Sequence, residues 1–432
     1  MRRLPSLIVL FLVACGDKPG SPPPDGPGIR GSLTVHSRIW ESIGDPSQAV
    51  GIHVLLGDGS RFRQPLGRDG VARFVDPAIQ GPQDVTVLAV GKTNVFADTY
   101  LALDQPEVWL QPFPRQDTEY GKQATLKGRV TGRTNGSLSV LVASADKRIR
   151  GNTVSAAADG TFEIDVTGSV AAPVHLLAME HAYPSRRFGI TKDITFTSGQ
   201  TLDGVEIVLE PVEVQQQPVN VNNFEAYGTE AYVTMDFYFG SGFLFRNVAT
   251  GTPPLQIPAM LLTPPFDLIE LRTMVVVGSE GASGLTSASA TVHTEGGSTP
   301  EATMPPPLQL TSAPLGTMEA PAVAPLEGFS LSWNVDPAAQ VVRAYLRHKG
   351  RDPSLSWFVT APSSITSFTP FELPAELTPV TRFPPGLLWL VMSADNGGVG
   401  RTYAELFEQY EAPRPDGTTW DLRREGYVKL VE

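Results

Sequence analysis

The chain has a single cysteine, Cys15, in 432 residues. No disulfide can therefore form within it, and its folded parts must be held by their apolar cores. Charge is sparse as well, with Asp, Glu, Lys and Arg at 18% where about a quarter is usual. Past the N-terminus no segment offers the roughly eighteen uninterrupted apolar residues of a membrane-spanning helix. Residues 255–271 come nearest and are broken by Pro258, Pro264 and Pro265. Basic residues form no stripe, and 33 Lys and Arg stand against 45 Asp and Glu. Nucleic acid is thereby excluded as a partner, because phosphate binding draws on clustered positive charge. Catalytic signatures are missing too: there is no Gly-x-Ser-x-Gly elbow, His-Glu-x-x-His pair, phosphate-cradling Gly-x-x-x-x-Gly-Lys loop or Gly-x-Gly-x-x-Gly opening a helix. Ser144-Ala-Asp-Lys147 spells Ser-x-x-Lys, but it follows a strand-like run without the companion motifs of that chemistry.

What is present is turn-formers and short apolar runs. Gly and Pro number 41 and 39, and apolar residues make up 41% of the chain. The runs are short and bounded by turn signals, the pattern of sandwich and barrel strands. A chain this long divides into three or four domains of roughly 100–150 residues each. The expected class is all-β. One helical pattern stands out, Tyr403, Leu406, Phe407 and Tyr410 at i, i+3, i+4, i+7. Six histidines are scattered, and only His175 and His181 share a face of one candidate strand. Their rings would lie about 20 Å apart along it, too far for one zinc ion. No metal site and no cofactor is implied, and the Asp-Gly pairs at 58–59 and 69–70 read as turns.

The N-terminus carries Arg2 and Arg3, an apolar run from Leu7 to Val13, and Leu12-Val-Ala-Cys15. That layout is a secretory signal, too short to span a bilayer. It resembles the lipobox of bacterial lipoproteins. The resemblance implies a signal peptide over 1–14, diacylglyceryl attachment at the Cys15 thiol, cleavage before Cys15 and acylation of the new amine. The thiol is then spent on lipid and unavailable for metal or nucleophilic work. Loss of Arg2 and Arg3 leaves 31 basic against 45 acidic residues, a net charge of −14. Gly16 after the cysteine favours, by analogy with lipoprotein sorting, the outer membrane. Residues 15–28 form a lipidated tether, reading GDKPGSPPPDGPG after the cysteine. Such a composition buries no core, and at about 3 Å per residue it reaches roughly 40 Å.

The following stretch holds an internal repeat, 29–115 and 122–212. Gly31-Ser-Leu-Thr-Val35 answers Gly128-Arg-Val-Thr131, Ile52–Leu56 answers Leu138–Val142, and Asp69-Gly-Val-Ala-Arg-Phe74 answers Asp159-Gly-Thr-Phe162. Val85–Val90 answers Val174–Met179, and Val108-Trp-Leu-Gln-Pro112 answers Val208-Leu-Glu-Pro211. The order resembles the carboxypeptidase regulatory-like, transthyretin-like sandwich, which implies a non-catalytic scaffold or binding role. Gln215-Gln-Gln-Pro218 reads as a hinge, and 219–300 as a third β-domain in which Val233, Met235, Phe237 and Phe239 share one strand face. A second linker is expected from Gly296 to Pro307. Residues 305–432 resemble a fibronectin type III module, with Phe329-Ser-Leu-Ser-Trp333 as its core-tryptophan strand and Pro385 to Gly397 as its closing-strand pattern. Trp389 stands where that family usually has tyrosine.

The fold expected is thus a tandem of Ig-like or transthyretin-like β-sandwiches after a lipoprotein signal and a flexible tether. The leading function is a lipid-anchored cell-envelope scaffold or adhesion element without catalysis, whose partners are the membrane, through its lipid, and protein or polysaccharide of the envelope. A glycan-binding lipoprotein is the second reading, since flat aromatic side chains on sandwich faces suit pyranose rings. An accessory subunit of an envelope enzyme complex is the third. Trp40, Trp357 and Trp420 fall in loop-like text and are the ligand-stacking candidates, weighed against core packing. Trp109, Trp333 and Trp389 fall in strand cores.

Overall fold

The structure is a computed structural model that describes residues 28–37, 49–110, 122–144, 149–150, 153–168, 173–181, 187–240, 242–281, 283–294, 299–312, 314–349, 354–396, 403–407 and 419–432. The protein is all-β, a tandem of sandwiches. Residues 29–110 supply β1 (Arg30–His36), β2 (Ala49–Leu56), β3 (Phe62–Pro65), β4 (Val71–Gln80), β5 (Gln83–Gly91), β6 (Asn94–Leu103) and β7 (Glu107–Trp109). Period-two alternation drives them: in β1, Leu33 and Val35 are buried and Ser32 and Thr34 are not. A β4-β1-β7 sheet faces strands β3-β2-β5-β6, and Leu33, Val35, Phe74, Val54, Val87 and Tyr100 fill the space between.

The second unit repeats this wiring. It consists of β8 (Lys122–Thr131), β9 (Ser137–Ser144), β10 (Ile149–Arg150), β11 (Thr153–Ser155), β12 (Thr161–Gly168), β13 (Val174–His181), β14 (Arg187–Ile194), β15 (Gln200–Val208) and β16 (Glu210–Pro211). Just as β1 pairs antiparallel with β4 and parallel with β7, β8 pairs antiparallel with β12 and parallel with β15. The sequence repeat is thus a repeat of topology. Its core is separate, built on Leu126, Val140, Ile164, Leu176 and Ile207. Buried Glu180 steadies one loop by accepting at one carboxylate oxygen from the backbone N–H groups of Thr134 and Gly136 and from the Thr134 hydroxyl, all at 2.8–3.0 Å.

Next come β17 (Val214–Asn222), β18 (Ala231–Phe239), β19 (Gly242–Gly251), β20 (Leu255–Met260), β21 (Ile269–Gly281), β22 (Gly284–Thr294) and β23 (Glu301–Thr303). In β18, Val233, Met235, Phe237 and Phe239 are 0–1% exposed, on one face as their spacing requires. The expected hinge at Gln215–Pro218 is instead part of β17, paired residue by residue with Gln256–Ala259. Its backbone finds a ladder, so polar side chains do not stop the strand. Pro218 is tolerated because β23 pairs on the other side only from Asn220 onward. Much of the expected second linker is packed too. Ala302 and Met304 are fully buried, and the Tyr227 hydroxyl donates to the Pro305 carbonyl at 2.7 Å; residues 295–298 lie outside the described residues.

The C-terminal strands are β24 (Gln309–Leu310), β25 (Ala322–Pro325), β26 (Leu331–Asn334), β27 (Val341–Lys349), β28 (Ser354–Pro362), β29 (Ser367–Phe368), β30 (Gly386–Asp395) and β31 (Thr419–Val431). Trp333 is buried at 1% exposure, in the core strand that the sequence indicates. Of the helical pattern, Ala404–Phe407 is a single 3-10 turn, and Tyr410 lies outside the described residues. Its apolar side packs into the core of the first sandwich, where Phe407 meets Tyr100 edge-on at 5.4 Å.

Three of the sandwiches share one sheet. It has thirteen strands, ordered β19-β18-β21-β22-β31-β30-β27-β28-β6-β5-β2-β3, with β25 also on β31. Two seams join it: β22 to β31, antiparallel, and β28 to β6, parallel. Register places Val233, Val275, Ala290, Met392, Ala344, Val359, Ala97 and Leu88 in one core on one face of this sheet. Over that face lie the β20-β17-β23 and β24-β26-β29 sheets. The other face is covered at the first sandwich by β4-β1-β7. The second unit docks on the third by close approach. A side chain at Gly240 or Gly242 would come within 2.6 Å of Ala143 or Leu141, and Phe188 packs on Phe245 and Phe266 at 5.7 and 6.2 Å.

Candidate binding face

The face of the C-terminal strands that no sheet of the described residues covers carries the most distinctive side-chain grouping. Odd positions of β27, β30 and β31 and even positions of β28 point to it, since their neighbours in sequence are core residues. Phe358 on β28 is opposite Tyr345 on β27, Trp389 on β30 is opposite Arg347, and Tyr427 on β31 is opposite Trp389. The Tyr345 and Phe358 rings stack at 4.4 Å and 25°, and Trp389 meets Tyr345 at 5.4 Å and 84°. Phe358 is 39% exposed, and Tyr345, Trp389 and Tyr427 are half-buried.

Charged neighbours hold this aromatic row in place. The Trp389 indole N–H donates to Glu425 Oε1 at 2.9 Å, and Arg423 donates to Glu425 Oε2 at 2.6 Å. Arg347 beside Trp389 and Lys429 beside Leu387 are both exposed, and neither makes an ion pair with the described residues. Two cations thus stand uncompensated on a chain of net charge −12.

Toward the β28–β6 seam the chemistry turns acidic. Asp98 on β6 lies opposite Phe358 and accepts from the Tyr100 hydroxyl at 2.8 Å. Burial pushes its carboxyl up to about 7, against the downward pull of the Tyr100 hydrogen bond. Away from that seam, on β31, Asp421 is pushed up to about 6 by burial and by Asp395, opposed by Arg343 and Arg423. Arg343 in turn is paired with Asp395. The Tyr403 hydroxyl closes the seam, 2.9 Å from the Leu101 carbonyl on β6 and 3.1 Å from the Thr360 carbonyl on β28. Burial, foremost, drives its phenol pKa well up.

The structure redistributes the tryptophans. Trp357 is 0% exposed in β28, ringed by Phe368, Phe371 and Phe383, and its indole N–H donates to the Thr99 hydroxyl at 2.9 Å. It is a core residue and has no face to offer a ligand. Trp420 is half-buried at the start of β31, packed against the same core. Trp389, assigned to a core by sequence, is on the open face, and Trp109 is half-buried and stacks on His36 at 4.5 Å. Trp40 and Cys15 lie outside the described residues. Strand parity was the signal that would have exchanged Trp357 and Trp389: Leu355, Trp357 and Val359 alternate with Ser356 and Phe358, and Leu388, Leu390 and Met392 leave Trp389 on the opposite side.

One described histidine meets a carboxylate, His36 Nε2 lying 2.8 Å from Glu107 Oε1. His175 accepts from the Asp193 backbone N–H at 3.1 Å and His181 lies 2.8 Å from the Ser139 hydroxyl. Among the described residues no three His, Cys, Asp or Glu side chains group as metal ligands. Ser144 is buried at 4% exposure, and Lys147 lies outside the described residues. No described helix is long and apolar enough to cross a membrane.

No family model and no curated protein sequence matches the chain. Among solved structures, an adhesin candidate from Bacteroides ovatus aligns at 10% identity over 46% of this chain and 95% of that one, with a TM-score of 0.17. A streptococcal ancillary pilin aligns at 9% identity over 63% and 98%, TM-score 0.17. A tetra-tandem repeat from the extending region of a large adhesion protein aligns at 14% identity over 89% and 92%, TM-score 0.17. TM-scores this low carry no argument about function.

Proposed function

We propose that the protein is a non-catalytic, lipid-anchored element of the cell envelope that serves as a scaffold or adhesin. Cys15 is its attachment point, the segment to residue 28 its tether, and the open face around Trp389 its contact surface. The observation that carries this reading is the thirteen-stranded sheet. Its seams fix three sandwiches as one body, so that a weak contact anywhere on it is backed by a rigid platform and by confinement near the membrane. The missing catalytic motifs support a binding role over a reaction. Two or three acyl chains hold such a protein stably where one would not, and Gly16 supports sorting to the outer membrane.

Fractionation tests the anchor: Cys15→Ser should lose lipid labelling and leave the membrane fraction, and a variant that stays membrane-bound removes the premise. Adhesion is tested by deleting the gene and measuring attachment of intact cells; unchanged attachment to every surface and to neighbouring cells counts against the adhesin reading.

A second reading, glycan capture, is favoured by one specific observation. Four aromatic residues on four adjacent strands, Phe358, Tyr345, Trp389 and Tyr427, line a face that no sheet of the described residues covers.

A further inference from the structure

We propose that the Phe358–Tyr345–Trp389–Tyr427 row, with Arg347 and Lys429, is a binding shelf for an acidic polysaccharide, a chain of uronic-acid type laid across the strands. This rests on the glycan-capture reading and names its ligand class.

Geometry and charge both point there. The row crosses β28, β27, β30 and β31 in order, and adjacent strands are about 4.8 Å apart, close to the length of one pyranose unit. Tyr345 is opposite Val391 and Trp389 is opposite Arg347, so the row steps by two residues between β27 and β30 and a sugar chain follows it obliquely, crossing Tyr427 and Trp389 and then Tyr345 and Phe358. Tyr345 and Phe358 spend a face each on one another, so they offer edges and one outer face, whereas Trp389 stands nearly perpendicular to Tyr345. Its orientation is fixed in advance by the bond to Glu425, itself held by Arg423, which lowers the entropy lost on binding.

The two uncompensated cations decide the ligand's sign. Arg347 lies directly opposite Trp389, and Lys429 opposite Leu387, one strand position beyond the row. A carboxylate on a ring seated at Trp389 is within the range of the guanidinium fork, which matches carboxylate geometry. A neutral glycan would leave both cations without a role. Nucleic acid calls for a stripe of clustered basic residues, which the sequence lacks. An extended peptide adds to a sheet edge, not a face. An anionic bilayer calls for protruding apolar side chains, and of the four aromatics only Phe358 exceeds a third exposed.

The test uses the full-length protein in detergent micelles and affinity electrophoresis through gels containing polygalacturonate, alginate or hyaluronate, with carboxyl-reduced polygalacturonate as the neutral control. Retardation by at least one acidic polymer, at least tenfold weaker with the reduced polymer and weakened at high salt, is expected. Trp389→Ala and Arg347→Gln should each weaken it about tenfold. Arg347 is exposed, so Arg347→Gln keeps the fold, which circular dichroism confirms. No retardation by any acidic polymer, equal retardation by the reduced one, retardation indifferent to both substitutions, or binding to phosphatidylglycerol vesicles alone would each overturn the proposal. Retention of the neutral polymer alone would leave glycan capture standing while removing its acidic ligand, so the two readings fail separately.

Discussion

The Trp357 indole N–H, the Thr99 hydroxyl and the Thr86 hydroxyl form a buried chain of hydrogen bonds at 2.9 and 2.7 Å that crosses from β28 through β6 to β5. Thr99→Val keeps the shape but strands a buried donor, so it should cost about 1–3 kcal/mol in urea unfolding; a loss below a few tenths would mean that the chain of bonds is idle. Asp98 supplies a second handle, this time through pH. Its folded pKa of about 7 lies above its ordinary 3.8, so between these values the folded state holds the extra proton. Stability contributed here is full near pH 4 and is lost as pH rises through 7. Asp421, raised to about 6, acts with the same sign. Melting temperature should therefore fall from pH 5 to pH 8, and Asp98→Asn should flatten that slope; an unchanged slope would locate the titration elsewhere.

At the scale of elements, Tyr403–Phe407 is a clasp. It leaves the C-terminal sandwich after β30 and inserts Phe407, 2% exposed, into the core of the first one. Phe407→Ala should cost about 3–5 kcal/mol and loosen amide protection on β6 and β28 together, as hydrogen exchange would show; loosening confined to β6 would mean that the turn serves the first sandwich alone. How much of this was legible follows from what sequence patterns encode. Alternation of Val233, Met235, Phe237 and Phe239 reports which face is buried, and the Asp-Gly landmarks report the repeat. Neither encodes which strand lies beside which. Asn94–Leu103 reads as a strand of a first unit in either case, and its parallel partner begins at Ser354. Gln215–Pro218 has the composition of a hinge, whereas the neighbouring Val219 and Val221 carry the alternation of a buried strand. The open face was half legible: the aromatic residues were visible, but the side each one takes depends on register that only pairing fixes.

For the molecule as a whole, the seams make three sandwiches one thermodynamic body, while the second unit has a core of its own and also lends Leu141, Leu177, Met179 and Phe188 to the shared one. Calorimetry should show one transition for the joined part, and Thr99→Val should lower that transition without splitting off the first sandwich. A separate early transition for residues 29–110 would refute the coupling.

The same seam dictates an order of events during manufacture. Trp357 reaches its partner Thr99 across 258 positions of sequence, so during synthesis the first unit keeps a naked strand edge, β6, until β28 has been made. Loop closure over such a span is slow, and an open edge invites mispairing with other chains. A nascent copy therefore depends on holdase chaperones more heavily than a string of independent modules would, and its first unit becomes protease-resistant only once β28 has paired with β6.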